Sequence, residues 1–295
     1  MLNSEYNIEE INDNWCVKNI LIKDFSLEDG IKELIKNLIP ESIVINSRYV
    51  KFILNNTNIR LFRDEEIIKK LVSYECSYLA MKIMLDNDES INNINEQFIK
   101  ASHYGYSSVV KLLIESGAII TINKNRGIIS ASYNGHLSIV KMLIDYGADV
   151  SAQDNQAIIN ASWQGHLSVV KLLIESGADI HAQNNQAIIN ASCRGHLSVI
   201  ELLIKLGIDI RARNNQAIIF ASCYDNLSVV KLLIDSGADI HAQNNQAIIY
   251  ASRYGCLSVA KLLIESGANI HAQNNKALEN AEKYKHLDII ELLKN

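Results

Sequence analysis

Asn184–Arg213 reads NNQAIINASCRGHLSVIELLIKLGIDIRAR, and near-copies of this stretch recur every 30 residues. The alanine that anchors it returns at Ala157, Ala187, Ala217, Ala247 and Ala277, and a Gly-Ala-Asp/Asn block at Gly147, Gly177, Gly237 and Gly267. A fixed period of this size marks a solenoid, in which each unit stacks on its neighbours. Each copy reads as two short antiparallel helices. Asn185, or Gln186 one residue later, is predicted to cap the first, because its side-chain oxygen can accept an orphan backbone N–H. Gly195 suits the left-handed backbone that ends a helix. A second helix is predicted from Leu197 to Leu206, stopping at Gly207, with Val199, Ile200, Leu203 and Ile204 in a broad apolar stripe. One unit buries too few aliphatic side chains to offset the entropy of ordering it, so folding requires a stack.

The run from Ala161 to Ile180, A-S-x-x-G-H-L-S-V-V-K-L-L-I-E-S-G-A-D-I, resembles the ankyrin repeat. The resemblance covers roughly residues 95–295 and implies an all-α solenoid of stacked antiparallel helix pairs. Two features depart from the family. Its usual unit has about 33 residues, and three are missing here from the connector His181-Ala182-Gln183-Asn184-Asn185-Gln186. Its T-P-L-H opening is replaced by Q-A-I-I. A shorter turn is therefore expected where the family projects long β-hairpin fingers. The short unit, with Ala-Ser and much Ile and Asn, is similar to the ankyrin proteins of giant DNA viruses (mimivirus-like).

The 295 residues carry a net charge of −5 and a pI of about 5.9, which argues against general nucleic-acid binding. No apolar run approaches the ~20 residues of a membrane span, and Met1-Leu2-Asn3-Ser4-Glu5 lacks the basic start and apolar core of a signal peptide. The chain reads as soluble and intracellular, in the host cytoplasm where the viral resemblance is followed. Its five cysteines are irregularly placed. Stacking would hold Cys193 and Cys223 roughly 8–10 Å apart, beyond the ~7 Å limit of a disulfide, so free thiols are expected.

Residues 1–65 do not repeat. Ile31, Leu34, Ile35, Leu38 and Ile39 form one helical face ended by Pro40, and residues 49–54 are rich in strand formers. This region reads as a small α/β or helical cap, or as a separate recruitment domain. A worn repeat occupies 66–94, and seven units fill 95–295. In the last unit, 275–295, Glu279 replaces the Ile of earlier units and Glu282 the Ser, as a C-terminal cap requires. On the second helices Lys141/Asp145, Lys171/Glu175, Lys231/Asp235 and Lys261/Glu265 are i, i+4 pairs. Glu201/Lys205 swaps both signs together, as a local charge contact would preserve.

Within the first helix, the positions of Ile188, Ala191 and Ser192 hardly change between units, whereas those of Asn190, Cys193 and Arg194 vary freely. These lie at i, i+3 and i+4 and share a face, which in the ankyrin family lines the concave, partner-binding groove. Aromatic and Arg residues, the preferred interface anchors, concentrate there: Tyr133, Trp163, Arg194, Phe220, Tyr224, Tyr250, Arg253, Tyr254 and Tyr284. They are candidate partner-binding residues, or they tile the space between helices. His136, His166, His196 and His286 are read as structural, bonding across the turn, and the paired Asn residues as caps that also bond along the stack. No Gly-rich phosphate loop, nucleophile elbow or converging carboxylate pair is found, and no catalytic, metal or cofactor residue is assigned. The function expected is a non-enzymatic scaffold, monomeric, binding a protein partner and neither nucleic acid nor membrane. The alternative is a substrate-recruiting subunit of a ubiquitin ligase acting through residues 1–65.

Overall fold

The structure, a computed structural model, describes Ile8–Ile11, Asn14–Val17, Ile20–Ile22 and residues 94–294. The chain forms two compact units, residues 1–119 and 120–295. The first contains an antiparallel meander of β1 (Ile8–Ile11), β2 (Asn14–Val17) and β3 (Ile20–Ile22), with Ile8 opposite Val17 and Cys16 opposite Leu21. It also contains one helical hairpin, α1 (Ile94–Tyr104) and α2 (Ser107–Glu115). The helix expected over residues 31–39, the strand at 49–54 and the worn repeat at 66–93 lie outside the described residues.

The second unit stacks six hairpins whose helices begin at a constant 30-residue spacing. They are α3 (Ile122–Tyr133) with α4 (Leu137–Asp145), α5 (Ala152–Gln164) with α6 (Leu167–Glu175), and α7 (Ala182–Arg194) with α8 (Leu197–Lys205). After them come α9 (Ala212–Cys223) with α10 (Leu227–Asp235), α11 (Ala242–Tyr254) with α12 (Leu257–Glu265), and α13 (Ala272–Tyr284) with α14 (Leu287–Lys294). The repeat array is all-α, as its periodicity implies. Ala187, Ile188, Ile189 and Ala191 of α7 pack with Val199, Ile200 and Leu203 of α8 in a dry core, while Ile204 is only half-buried. Neighbouring first helices run in close contact and neighbouring second helices touch at few points. The stack is therefore tighter along its first-helix side. Among the described residues no helix is long and apolar enough to cross a membrane.

The connector is a left-handed turn. Gln183, Asn184 and Asn185 take φ of 50°, 55° and 60° before right-handed helix begins, and the Asn185 N–H closes the turn on the His181 carbonyl at 3.0 Å. Such backbone costs roughly 1–2 kcal/mol per ordinary residue, and Asn tolerates it better than most. This explains the paired Asn residues; they bond along the stack as expected, and only their capping role is corrected. Asn185 does not cap its own helix. Its Oδ1 instead accepts the Asp209 N–H from the loop leading to the next hairpin (3.3 Å), and His181 Nδ1 donates to the same oxygen (2.9 Å). The bond recurs at Asn155–Asp179 and Asn215–Asp239, both 2.8 Å. Along the edge Gln183 Nε2 donates to the Asp154 carbonyl, and Arg213 reaches back to the Gln183 carbonyl and the Gln186 side chain.

At the other end of each first helix a second tie is made, again between hairpins rather than across one turn. His166, His196 and His286 donate through Nε2 to the carbonyls of Tyr133, Trp163 and Arg253, each 33 residues earlier. Asn226 makes the same reach through Nδ2 to Ser192 and Cys193, and Cys256 through Sγ to Cys223 at 3.7 Å. The ring lies over the preceding turn's glycine. A methyl carbon added at Gly135 would stand 2.6 Å from the His166 ring, and one at Gly255 2.8 Å from His286. At the one internal turn where this glycine is replaced, by Asp225 at φ 57°, the overlying histidine has become the smaller Cys256. The two substitutions compensate.

On α13 the face that bears buried Ile249 and Ser252 in α11 bears exposed Glu279 and Glu282, paired with Lys276 and Lys294 at 2.8 Å. Among the described second helices an ion pair closes at Lys111–Glu115 (3.9 Å). The expected pairs from Lys141 to Glu265 share exposed faces without coming within bonding distance, in keeping with the small energy of such contacts.

Two stability measurements follow. Asn185→Ala orphans the Asp209 N–H and is expected to lower unfolding free energy by roughly 1–3 kcal/mol in urea titration. Cys256→His should cost about 1–3 kcal/mol by overpacking against Asp225. Adding Asp225→Gly should recover most of that loss, giving a favourable coupling in the double-mutant cycle.

Candidate functional site

The first helices turn three successive kinds of position away from their core, and the structure grades them. The innermost, occupied by Asn160, Asn190, Phe220 and Tyr250, is half-buried. Its asparagines are used within their own helix, accepting from Gln156 at 2.7 Å and Gln186 at 2.6 Å. The middle position holds half-buried Trp163 and Cys223, exposed Arg253 and Tyr133, and buried Cys193, which the sequence had placed on the free face. The outermost carries Arg194, Tyr224, Tyr254 and Tyr284. The tyrosines among them are 61%, 53% and 41% exposed, figures far above those of packing side chains in this stack. None of the nine candidate residues is buried.

Rings and cations interleave along this face. The Arg194 guanidinium lies 4.3 Å over the Trp163 ring, joining α7 to α5. Arg253 sits between Tyr254 and Tyr284, 5.5 and 5.6 Å from their centroids, and Lys283 lies 5.4 Å over Tyr284. Tyr250 meets Tyr254 edge-on at 6.2 Å. In the hairpin α1–α2, taken by itself, exposed Tyr104 stacks on Tyr106 at 5.9 Å.

Beneath the tyrosines runs a row of free thiols that the sequence did not connect with them. Cys193 lies near enough to Tyr224, and Cys223 to Tyr254, for each pair to interact electrostatically, in each case with a partner 31 residues ahead. Burial raises both thiols, against smaller opposing effects from these tyrosines and from Arg194 and Arg253. The Tyr224 hydroxyl is raised in turn, chiefly by Cys193. Burial, reinforced by the Asp225 carboxylate, pushes Cys256 up to about 11. These are structural thiols, not activated nucleophiles. Among the described residues no three His, Cys, Asp or Glu side chains gather closely enough to hold a metal ion.

Comparison with known families matches residues 59–154, 97–184 and 158–244 to "Ankyrin repeats (3 copies)", and residues 246–275 to "Ankyrin repeat". Among solved structures the chain is similar to the crystal structure of the human ASB11 ankyrin repeat domain. The two are 26% identical with a TM-score of 0.59, over 67% of this chain and 97% of that one. Comparison with curated proteins gives no match.

Because the thiolate is the reacting species, alkylation of Cys256 by iodoacetamide should be slow in the folded chain until the pH nears 11. In the denatured chain it should follow an ordinary thiol of pKa about 8.5. Peptide mass spectrometry across a pH series measures both curves, and coincident curves would contradict the burial argument.

Proposed function

We propose that this chain, which belongs to the ankyrin-repeat family, is a non-enzymatic scaffold that grips a protein segment on the first-helix face of residues 120–295. Repeats of this family generally mediate protein–protein interaction, and ankyrin proteins are typically scaffolds rather than catalysts. The observation that carries the reading is the exposure of Tyr224, Tyr254 and Tyr284 at one helical position of three successive hairpins. Tyrosine offers large contact area at little entropic cost, and a side chain serving only to fill space would be covered. Trp163, Phe220 and Tyr250 form the half-buried floor behind this row, where a partner's apolar side chains can seat. In this reading the chain acts as a monomer inside a cell, and in the host cytoplasm if the short unit reflects a viral source.

The test uses the full chain as bait in its native host, beside Tyr224→Ala/Tyr254→Ala. Both side chains are exposed, so the double variant should keep the wild-type melting temperature within a few degrees, matching surface changes of about 0.5 kcal/mol each. It should lose the proteins that wild type captures. Unchanged capture by a folded variant would remove these tyrosines from the binding surface, and a large drop in melting temperature would make them packing residues.

A further inference from the structure

We propose that the segment held on this face is acidic. It would be an extended peptide with two carboxylates about seven to nine residues apart, one bound by Arg194 and the other by Arg253, and with an apolar side chain between them against Phe220 and Tyr224. This rests on the reading of the first-helix face as the binding surface and specifies what that surface selects.

The argument begins with how the chain uses its arginines. Arg211 and Arg213, in the turn before α9, spend their guanidinium donors inside the stack: Arg211 Nε on the Gly237 carbonyl at 2.9 Å, Arg213 on Gln183 and Gln186. Arg194 and Arg253 are held differently. Aromatic rings hold them, and among the described residues neither has a carboxylate in ion-pair contact. A guanidinium lying on a ring keeps its N–H fork free at the edge, oriented and partly desolvated, which suits bidentate capture of a carboxylate.

Charge and spacing specify the ligand further. The chain as a whole carries −5, yet the three graded positions of its first helices from residue 130 to 284 include Arg194, Arg253 and Lys283 and no acid; beside them Glu279 and Glu282 are paired with Lys276 and Lys294, and Asp225 is exposed just past the end of α9. The Arg194 guanidinium leans back toward α5 and that of Arg253 forward toward α13, so the two stand about three hairpin spacings apart. At roughly 8–10 Å between packed helices this is about 24–30 Å. An extended chain rises about 3.3 Å per residue, so about seven to nine residues cover the gap. The hairpin between them presents Phe220 and Tyr224. A nucleic-acid strand fits less well, because its charge at every nucleotide meets the recurring Asp179, Asp209 and Asp239 all along the array, whereas two spaced carboxylates need meet only the two guanidinium groups.

The experiment selects peptides of about sixteen residues, long enough for the ~24–30 Å gap, from a random library displayed to the full chain, with a single-stranded DNA 12-mer titrated in parallel. Selected peptides should carry Asp or Glu at two positions about seven to nine apart, and should bind roughly tenfold or more tighter than their Gln counterparts. That margin should shrink as salt is raised and vanish in Arg194→Gln/Arg253→Gln of unchanged melting temperature. Selection of apolar peptides without acid, still abolished by Tyr224→Ala/Tyr254→Ala, overturns the acidic ligand and leaves the binding face standing. Arg-dependent capture of the DNA in preference to any peptide also overturns it. Failure to select any peptide overturns both readings together.

Discussion

The whole stack depends on side chains that satisfy the backbone of a neighbouring hairpin. At the start of each first helix an asparagine oxygen takes an N–H from the loop that enters the next hairpin, as Asn185 does for Asp209. At its end a histidine, asparagine or cysteine of the following hairpin takes a carbonyl, as His196 does for Trp163. Buried backbone groups must find partners, and a hairpin alone would leave these orphaned. Each bond is worth only about 0.5–1.5 kcal/mol net. Two per junction, at opposite ends of the helix, nonetheless fix both where it sits and how it is rotated. Apolar contacts supply the energy; the polar ties set the register.

Register is what turns a row of unrelated side chains into a surface. Because each first helix is pinned at both ends, position 194 of one hairpin falls beside position 224 of the next and 254 of the one after. Arg253 can then touch rings on its own helix and on the following one, and Arg194 a ring on the preceding helix. The same register brings Cys193 near Tyr224 and Cys223 near Tyr254 while the tyrosine rings stay exposed.

Much of this was legible in the sequence, for a physical reason: repetition separates positions under packing constraint from positions without it. The helix pairs, the core at Ile188, Ala191, Val199 and Leu203 and the left-handed Gly195 could all be read that way. What escaped was which atoms meet between units, because a period shows that a residue matters without showing what it touches. Asn185 has the chemistry of a helix cap, and only the left-handed turn reveals that its oxygen points at a neighbour. Cys193 has the spacing of a face residue, and only packing shows that it is buried.

Asp225 and Cys256 show how the two kinds of position differ. A side chain at 225 occupies the space of the ring above it, so replacing that glycine required a change one hairpin further on. Positions that join hairpins are coupled in this way, and substitution there proceeds in pairs. At the last of these turns Lys285 stands at φ 63°, where every earlier turn but that of Asp225 has Gly. Positions 194, 224 and 254 bear no such coupling, since Arg and Tyr replace one another there over the same helical core. A stack built on this division can change what its face presents, one side chain at a time, without altering how it folds. That is the physical basis for placing its function on the exposed row rather than on the conserved-looking motif that makes the repeat visible.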